Sequence, residues 1–208
     1  MNVIAFNGSP HVDGVIAKGI SLIQRELEKA YISVEVVHVG SKNIRGCIDC
    51  HQCRSSNTGH CIFQDGGVNE AIDKLRTADG IILGSPAYYG GIAGTFKSFL
   101  DRLFFAGPNM PFKVGATVVS LRRTGGIAAF HQLNNYFSIS GIMITPTIYW
   151  NVIHGNSVPE TLEDQEGQQI MEMQGRNMAW LIKAVAAAKE SVPLPPPITD
   201  RNKTNFIH

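Results

Sequence analysis

All four cysteines of the chain, Cys47, Cys50, Cys53 and Cys61, fall within the segment CIDCHQCRSSNTGHC. Their spacing is C-x2-C-x2-C-x7-C. Two successive x2 gaps let a tight loop wrap three thiolates around three corners of a cubane, and the longer arm brings the fourth. That is the ligation logic of a compact [4Fe–4S] centre, to which soft thiolate donors are suited. Two other chemistries use the same residues. Structural zinc also takes four thiolates, though usually from two separated pairs. Thiols without a metal can stay free or oxidise to disulfides. His51 and His60 lie inside the segment, where loop histidines are more often bystanders.

Three glycine-bearing turns hold the other candidate residues. In NGSPHVDGVIA (7–17) an apolar run gives way to an amphipathic stretch. The N–H groups that open a helix there, with the positive end of its dipole, suit a phosphate without any lysine. Ser9 adds a hydroxyl donor and His11 a ring N–H. The segment matches neither GxxxxGK[ST] nor GxGxxG, which disfavours a nucleoside triphosphate or a Rossmann dinucleotide. In GSPAYYGGIAGTFKSFLDRL (84–103), Tyr88 and Tyr89 precede Gly90 and Gly91, setting flat rings beside backbone that a ligand can approach closely. In LRRTGGIAAF (121–130), Gly125 and Gly126 open a helix behind Arg122 and Arg123. Each turn has a plainer reading: an ordinary strand-to-helix turn, packed aromatics, solvated arginines. Gathered on one edge, the three suit a planar ligand with a phosphate tail.

The elements that must position these residues alternate in type. Apolar runs at 2–6, 33–39, 80–86, 113–121 and 141–146 predict strands. Helices are expected over 14–30, 67–77, 94–106, 125–140 and 161–190. The first of them lines up Ile16, Ile20, Ile23 and Leu27 on one face, and Asp65 is the expected N-cap of the second. Five strands alternating with five helices predict an α/β fold: a three-layer sandwich around a five-stranded parallel sheet, with helices on both faces. The strand count favours the flavodoxin-like order 2-1-3-4-5 over a six-stranded dinucleotide fold. Residues 1–190 read as one domain carrying a cysteine insertion at 40–66, and 191–208 as a Pro-rich, extended tail.

Composition narrows the function classes. The 208 residues carry a formal net charge of +1 and are 44% hydrophobic and 17% charged. Without a basic face, nucleic-acid binding has little support. There is no run of eighteen apolar residues, so no membrane span is expected, and the first residues do not read as a signal peptide. A cytoplasmic, reducing location is the expectation, and there clustered cysteines are more often metal ligands or redox groups than disulfides.

The strings GSPHVDGVIAKG, SPAYYGGIAGTFKSFLDR and RRTGG…F…SGIMITPTIYWNVIHG resemble the phosphate loop, flavin loop and third flavin-contact loop of the NAD(P)H-dependent FMN reductases of flavodoxin fold. With the cysteine segment added, the resemblance is to the iron–sulfur flavoprotein branch of that superfamily, over about residues 2–155. It implies FMN held by Ser9, His11 and the N–H groups of Val15, Ile16 and Ala17 at the phosphate. It places Pro86, Ala87, Tyr88, Tyr89, Gly90 and Gly91 in the flavin loop, and Arg122, Thr124, Gly125 and Gly126 in the third loop. It further implies a [4Fe–4S] cluster on the four cysteines, ferredoxin-like or NAD(P)H donors, small-molecule acceptors and a homo-oligomer, dimer or tetramer. No residue is expected to act as a catalytic acid or base, because the cofactors carry the electrons. The family usually reads GSPR followed by Asn-Thr, where this chain has His11, Val15 and Ile16. The missing threonine hydroxyl removes one phosphate hydrogen bond, worth about 0.5–1.5 kcal/mol. Two alternatives stand beside this reading: an FMN-dependent NAD(P)H or quinone reductase without a cluster, and a non-enzymatic flavin- or zinc-binding module.

Overall fold

The computed structural model describes residues 1–56, 58–196, 198–200, 202, 204 and 206. A parallel sheet is built on β1 (Asn2–Asn7), β2 (Ser33–His38), β3 (Gly80–Tyr88) and β5 (Val114–Leu121). The strands alternate their side chains between two cores, as the period of two requires. In β1, Val3 and Ala5 pack beneath α1 (Val15–Lys29) and α7 (Gln165–Ser191), with Ile16, Ile20, Ile23, Leu27, Met171 and Met178. Ile4 and Phe6 face the opposite core, built by α3 (Val68–Thr77), α4 (Gly94–Ala106) and α5 (Gly126–Ile139). The result is a flavodoxin-like α/β sandwich with helices on both faces of the sheet.

The fifth strand differs from expectation. In place of one strand over 141–146 there are two short pieces, β6 (Met143–Ile144) and β7 (Val152–His154), which pair with the two ends of β5. A two-residue strand β4 (Gly91–Ile92) also folds back antiparallel on β3. Among the described residues the sheet therefore has seven strands in the order β2-β1-β3-β5-β6, with β4 on β3 and β7 on β5. Pro146, lacking an N–H, follows directly after Thr145 donates to Gly115 O, so the ladder stops there. The middle of β5 is completed by side chains. With its amide oriented to satisfy both its oxygen and its nitrogen, the buried Gln174 of α7 donates to Thr117 O at 3.0 Å and accepts from Thr117 N at 3.2 Å, doing with one amide what a strand residue would do. Asn151 bridges the same spot, donating to Thr117 Oγ1 at 3.0 Å. Replacing Gln174 by Leu strands two buried backbone groups at about 1–3 kcal/mol each, so urea denaturation should register a loss of roughly 2–6 kcal/mol.

Two helix expectations are also corrected. The helix over 161–190 is two, α6 (Val158–Glu163) and α7, broken at Asp164. The Asp164 carboxylate caps Gly167 N at 3.0 Å and also accepts from His154 N at 2.6 Å, a pairing incompatible with a continuous helix. Asp65 does not cap α3. A 3-10 turn at Asp65–Gly67 intervenes, and Gly67, with φ at +72°, occupies the cap position. The described part of the expected tail, 192–196 and a few residues beyond, has no helix or strand, and the rest of that expectation lies outside the described residues.

Candidate functional site

The carboxyl ends of β1, β3 and β5 meet at one edge, where Asn7 pairs with His38 on one side and Gly84 on the other. The 7–17 turn is locked by its own side chains. Asn7 Oδ1 accepts from Ser9 N at 3.0 Å, Ser9 Oγ from His11 N at 3.1 Å, and Asn7 Nδ2 donates to Val12 O at 3.2 Å. From β2, His38 Nε2 lies 2.8 Å from Ser9 O. A Cβ at Gly40 would come within 2.1 Å of Ser9 O, so the chain passes here only as glycine. α1 then starts at Val15 with no side-chain cap and no acidic residue in its first turn, leaving its first N–H groups for an anion.

The second turn is a two-residue hairpin. Tyr88 pairs with Gly91, and the tip residues Tyr89 and Gly90 both have positive φ, at 51° and 75°, as a type I′ turn requires. Tyr89 is a tyrosine held where glycine or asparagine is ordinarily found, with its ring fully exposed. Gln132 on α5 accepts from Ile92 N at 2.9 Å and Ser85 Oγ accepts from Ala93 N at 3.0 Å, fixing the hairpin's base. The third turn reaches its tip: a Cβ at Gly125, whose φ is +90°, would sit 3.6 Å from Gly90 Cα.

A cleft of about 380 Å³ opens where these turns converge. Ser9, His11, Val15, Pro86, Ala87, Tyr88 and Arg122 line it. The side chain of Ile16 is buried in the core beneath α1, and Ile16 does not line the cleft. Ala17, Tyr89, Gly90, Gly91, Thr124, Gly125 and Gly126 are not among its lining residues, and Gly90 and Gly125 meet at the tip of the hairpin. The third flavin-contact string ended at Gly155, and the sequence reading missed the wall beyond it, Asn156 and Ser157 leading into Val158 of α6. A signal was present in Ser157-x-x-Glu160 with Pro159, the pattern that opens a helix: Ser157 Oγ accepts from Glu160 N at 3.4 Å.

The cysteines form a second site on the α3–α4 side. All four are free and line one apolar pocket with Ile48, Ile62, Phe63 and Phe105. Between successive cysteines, Asp49 and His51 take left-handed φ values of 53° and 57°, the strained turns that let the chain curl around a centre. Cys47 and Cys50 are exposed, Cys53 and Cys61 half-buried. Burial pushes the Cys53 thiol above its ordinary pKa. Cys61 is gripped from both sides. Asn69 on α3 accepts from Cys61 N at 2.8 Å and donates to Cys61 O at 2.9 Å, while Arg102 Nε lies 3.3 Å from its Sγ. The two histidines have other company: His60 pairs with Asp73 at 2.8 Å, and His51 packs edge-on against Phe105. Among the described residues, no three His, Cys, Asp or Glu side chains are grouped to hold a single metal ion.

Asp65 closes this loop from the far end. Burial pushes its carboxyl up, but the Arg45 N–H and the Arg102 guanidinium outweigh that and hold it below the usual carboxylate range. A depressed pKa contributes stability that is complete above the unfolded value of about 4 and is lost as pH falls through the lower folded value. Amide exchange in the 45–65 loop is therefore expected to accelerate below about pH 4, ahead of the sheet. Loop and sheet losing protection together would contradict this.

A parallel α/β sandwich with an uncapped helix N-terminus, a glycine hairpin and a third glycine turn around one cleft defines a flavodoxin-like redox protein. The description "NADPH-dependent FMN reductase" matches residues 1–157, and the chain belongs to that family. Within it the chain falls in the iron–sulfur flavoprotein branch and is a flavin-dependent oxidoreductase. An iron–sulfur flavoprotein of Methanocaldococcus jannaschii is 30% identical over 198 residues, covering 89% of this chain and 99% of that one. The structure of RosB with a bound 8-demethyl-8-formylriboflavin-5′-phosphate intermediate superposes with a TM-score of 0.70 at 15% identity, over 100% of this chain and 94% of the other. A flavodoxin from the domain Archaea gives a TM-score of 0.60 at 16% identity, covering 88% and 99%. These structural likenesses bear on the fold. Among the described residues, no helix is long and apolar enough to cross a membrane.

Proposed function

We propose that the protein is an FMN-dependent electron-transfer enzyme of the reducing cytoplasm, with FMN in the cleft and a [4Fe–4S] cluster on Cys47, Cys50, Cys53 and Cys61. The observation that carries the second cofactor is that all four free cysteines line one apolar pocket. A cubane takes one thiolate per iron at four corners, whereas a zinc ion needs its donors drawn to one point at about 2.3 Å. The cleft fits FMN by its donor set: uncapped N–H groups from Val15 onward and the Ser9 hydroxyl for the phosphate, with Arg122 beside them. Ile16 and Ala17 add backbone donors. The hairpin from Pro86 through Gly91 supports the flat ring, and the turn of Thr124, Gly125 and Gly126 meets its tip through Gly125.

When bound, the flavin exchanges one or two electrons and the cluster one, which joins a one-electron donor to two-electron chemistry. The chain's own residues bind and orient. No residue is proposed as a general acid or base, and the half-buried Tyr136 hydroxyl, next to Asp101, is held protonated by burial and by that carboxylate. A ferredoxin-like protein or NAD(P)H is the proposed donor. The family description, which names NADPH and FMN, favours a cluster-free NADPH-dependent reductase as the second reading. Exposed Ile144, Ile148, Tyr149 and Trp150 along the broken sheet edge favour a homo-oligomer, dimer or tetramer, which sedimentation would reveal.

Flavin, iron and acid-labile sulfide are to be measured on protein purified without oxygen. About one FMN, four irons and four sulfides per chain are expected, with no FAD. FMN without iron would leave the second reading standing, and failure to take up flavin would sink both.

A further inference from the structure

Arg102 carries a permanent charge on a side chain fully hidden from solvent. A guanidinium so placed must have its donors met and its charge balanced. Nη1 donates to Asp65 Oδ1 at 2.8 Å and to Arg45 O at 3.2 Å, and Nη2 to Phe63 O at 2.7 Å. Of the two N–H groups left over, that on Nε points at Cys61 Sγ at 3.3 Å. A thiol is a weak acceptor, while a thiolate gains a charge-assisted bond. Asp65 offsets the cation incompletely, because its carboxylate is also in contact with water and with Arg45 N. Three of the four contacts tie together the two ends of the cysteine loop, and the fourth is to a cysteine itself.

We infer that Arg102 is the buried counter-charge of the four-cysteine site: it holds Cys61 Sγ in position and raises the reduction potential of the centre those cysteines ligate. This rests on the iron–sulfur reading above. Each electron taken from a one-electron donor adds a unit of negative charge at the site. A fixed cation donating to a ligand sulfur favours that reduced state, and hydrogen bonds and net charge near the sulfurs are known levers on cluster potential. Arg54 is also near, stacked on Phe105, but it is exposed and screened by water. Arg102 is a positioning residue, acting through Cys61 and not by touching a substrate.

The test uses Arg102→Gln, Arg102→Lys and Asp65→Asn proteins, purified without oxygen and assayed for iron and sulfide. Cluster and flavin midpoint potentials are then read in the same samples by redox titration. Arg102→Gln is expected to lower the cluster potential and leave the flavin potential unchanged. Arg102→Lys, which keeps the charge, should restore most of the difference, and Asp65→Asn should shift the cluster upward. A purely structural clamp lowers the melting temperature of Arg102→Gln while all cluster potentials stay at the wild-type value, and that result overturns the inference. Should Arg102→Gln lose its fold or its iron, the other two decide: an unmoved potential in Asp65→Asn overturns it. Wild-type protein without iron and sulfide overturns the functional reading and this inference together. Iron and sulfide present with unmoved potentials overturn the inference alone.

Discussion

Changing Cys47 to alanine is expected to empty the protein of iron and sulfide while FMN stays bound in full. Cys47 is exposed and packs against little, so its removal should cost the fold almost nothing. The flavin cleft draws on the turns after β1, β3 and β5, and the cysteine pocket on the 45–65 loop and α4, so the two losses are separable. Transfer from a one-electron carrier should collapse, and flavin reduction by a direct two-electron donor should persist. Cys61→Ala should lose iron as well, with an added stability cost of about 1–3 kcal/mol because Arg102 Nε is left without its sulfur partner. Iron and sulfide assays beside both donor assays decide the matter. A zinc site would give metal without sulfide and a destabilised fold, and unligated thiols would leave both activities intact.

Gly125→Val is expected to weaken FMN binding by at least about tenfold. At φ +90° a β-branched residue is strained by about 1–3 kcal/mol, and tenfold in affinity corresponds to about 1.4 kcal/mol. The new Cβ would also stand in van der Waals contact with the hairpin tip, 3.6 Å from Gly90 Cα. Any adjustment therefore moves the segment proposed to lie along the flavin. Gly91→Val should have a smaller effect, since its φ lies outside the left-handed region and its Cβ meets only a side chain, the Gln132 amide at 3.2 Å. Leu194→Ala, at an exposed position beyond α7, should change nothing. Flavin fluorescence titration compares the three, and equal affinities would refute this placement of FMN.

How much of this was legible in the residues depended on how local the cause was. α4 ran over 94–106 as expected, because its helix period and flanking glycines are written in consecutive residues. The four-cysteine spacing and the three glycine turns could be read for the same reason: each is a short string whose chemistry depends on its own order. The resemblance of those strings to one family linked the turns into one site.

The split fifth strand could not be read, because an apolar run such as GIMITP carries no sign that Gln174, far along the chain, will take the place of its ladder. Asp65 looked like a helix cap by position, but a buried guanidinium nearby competes for its carboxylate and wins. The role of Arg102 was hidden in the same way. In sequence it is one letter of a motif on α4, and its partners Arg45, Cys61, Phe63 and Asp65 lie 37 or more positions away. Local order thus determined the types of element and the candidate chemistry. Which buried charge meets which sulfur was decided by packing α4 against the cysteine loop, since burial removes water as a partner and leaves each donor to find one in the fold.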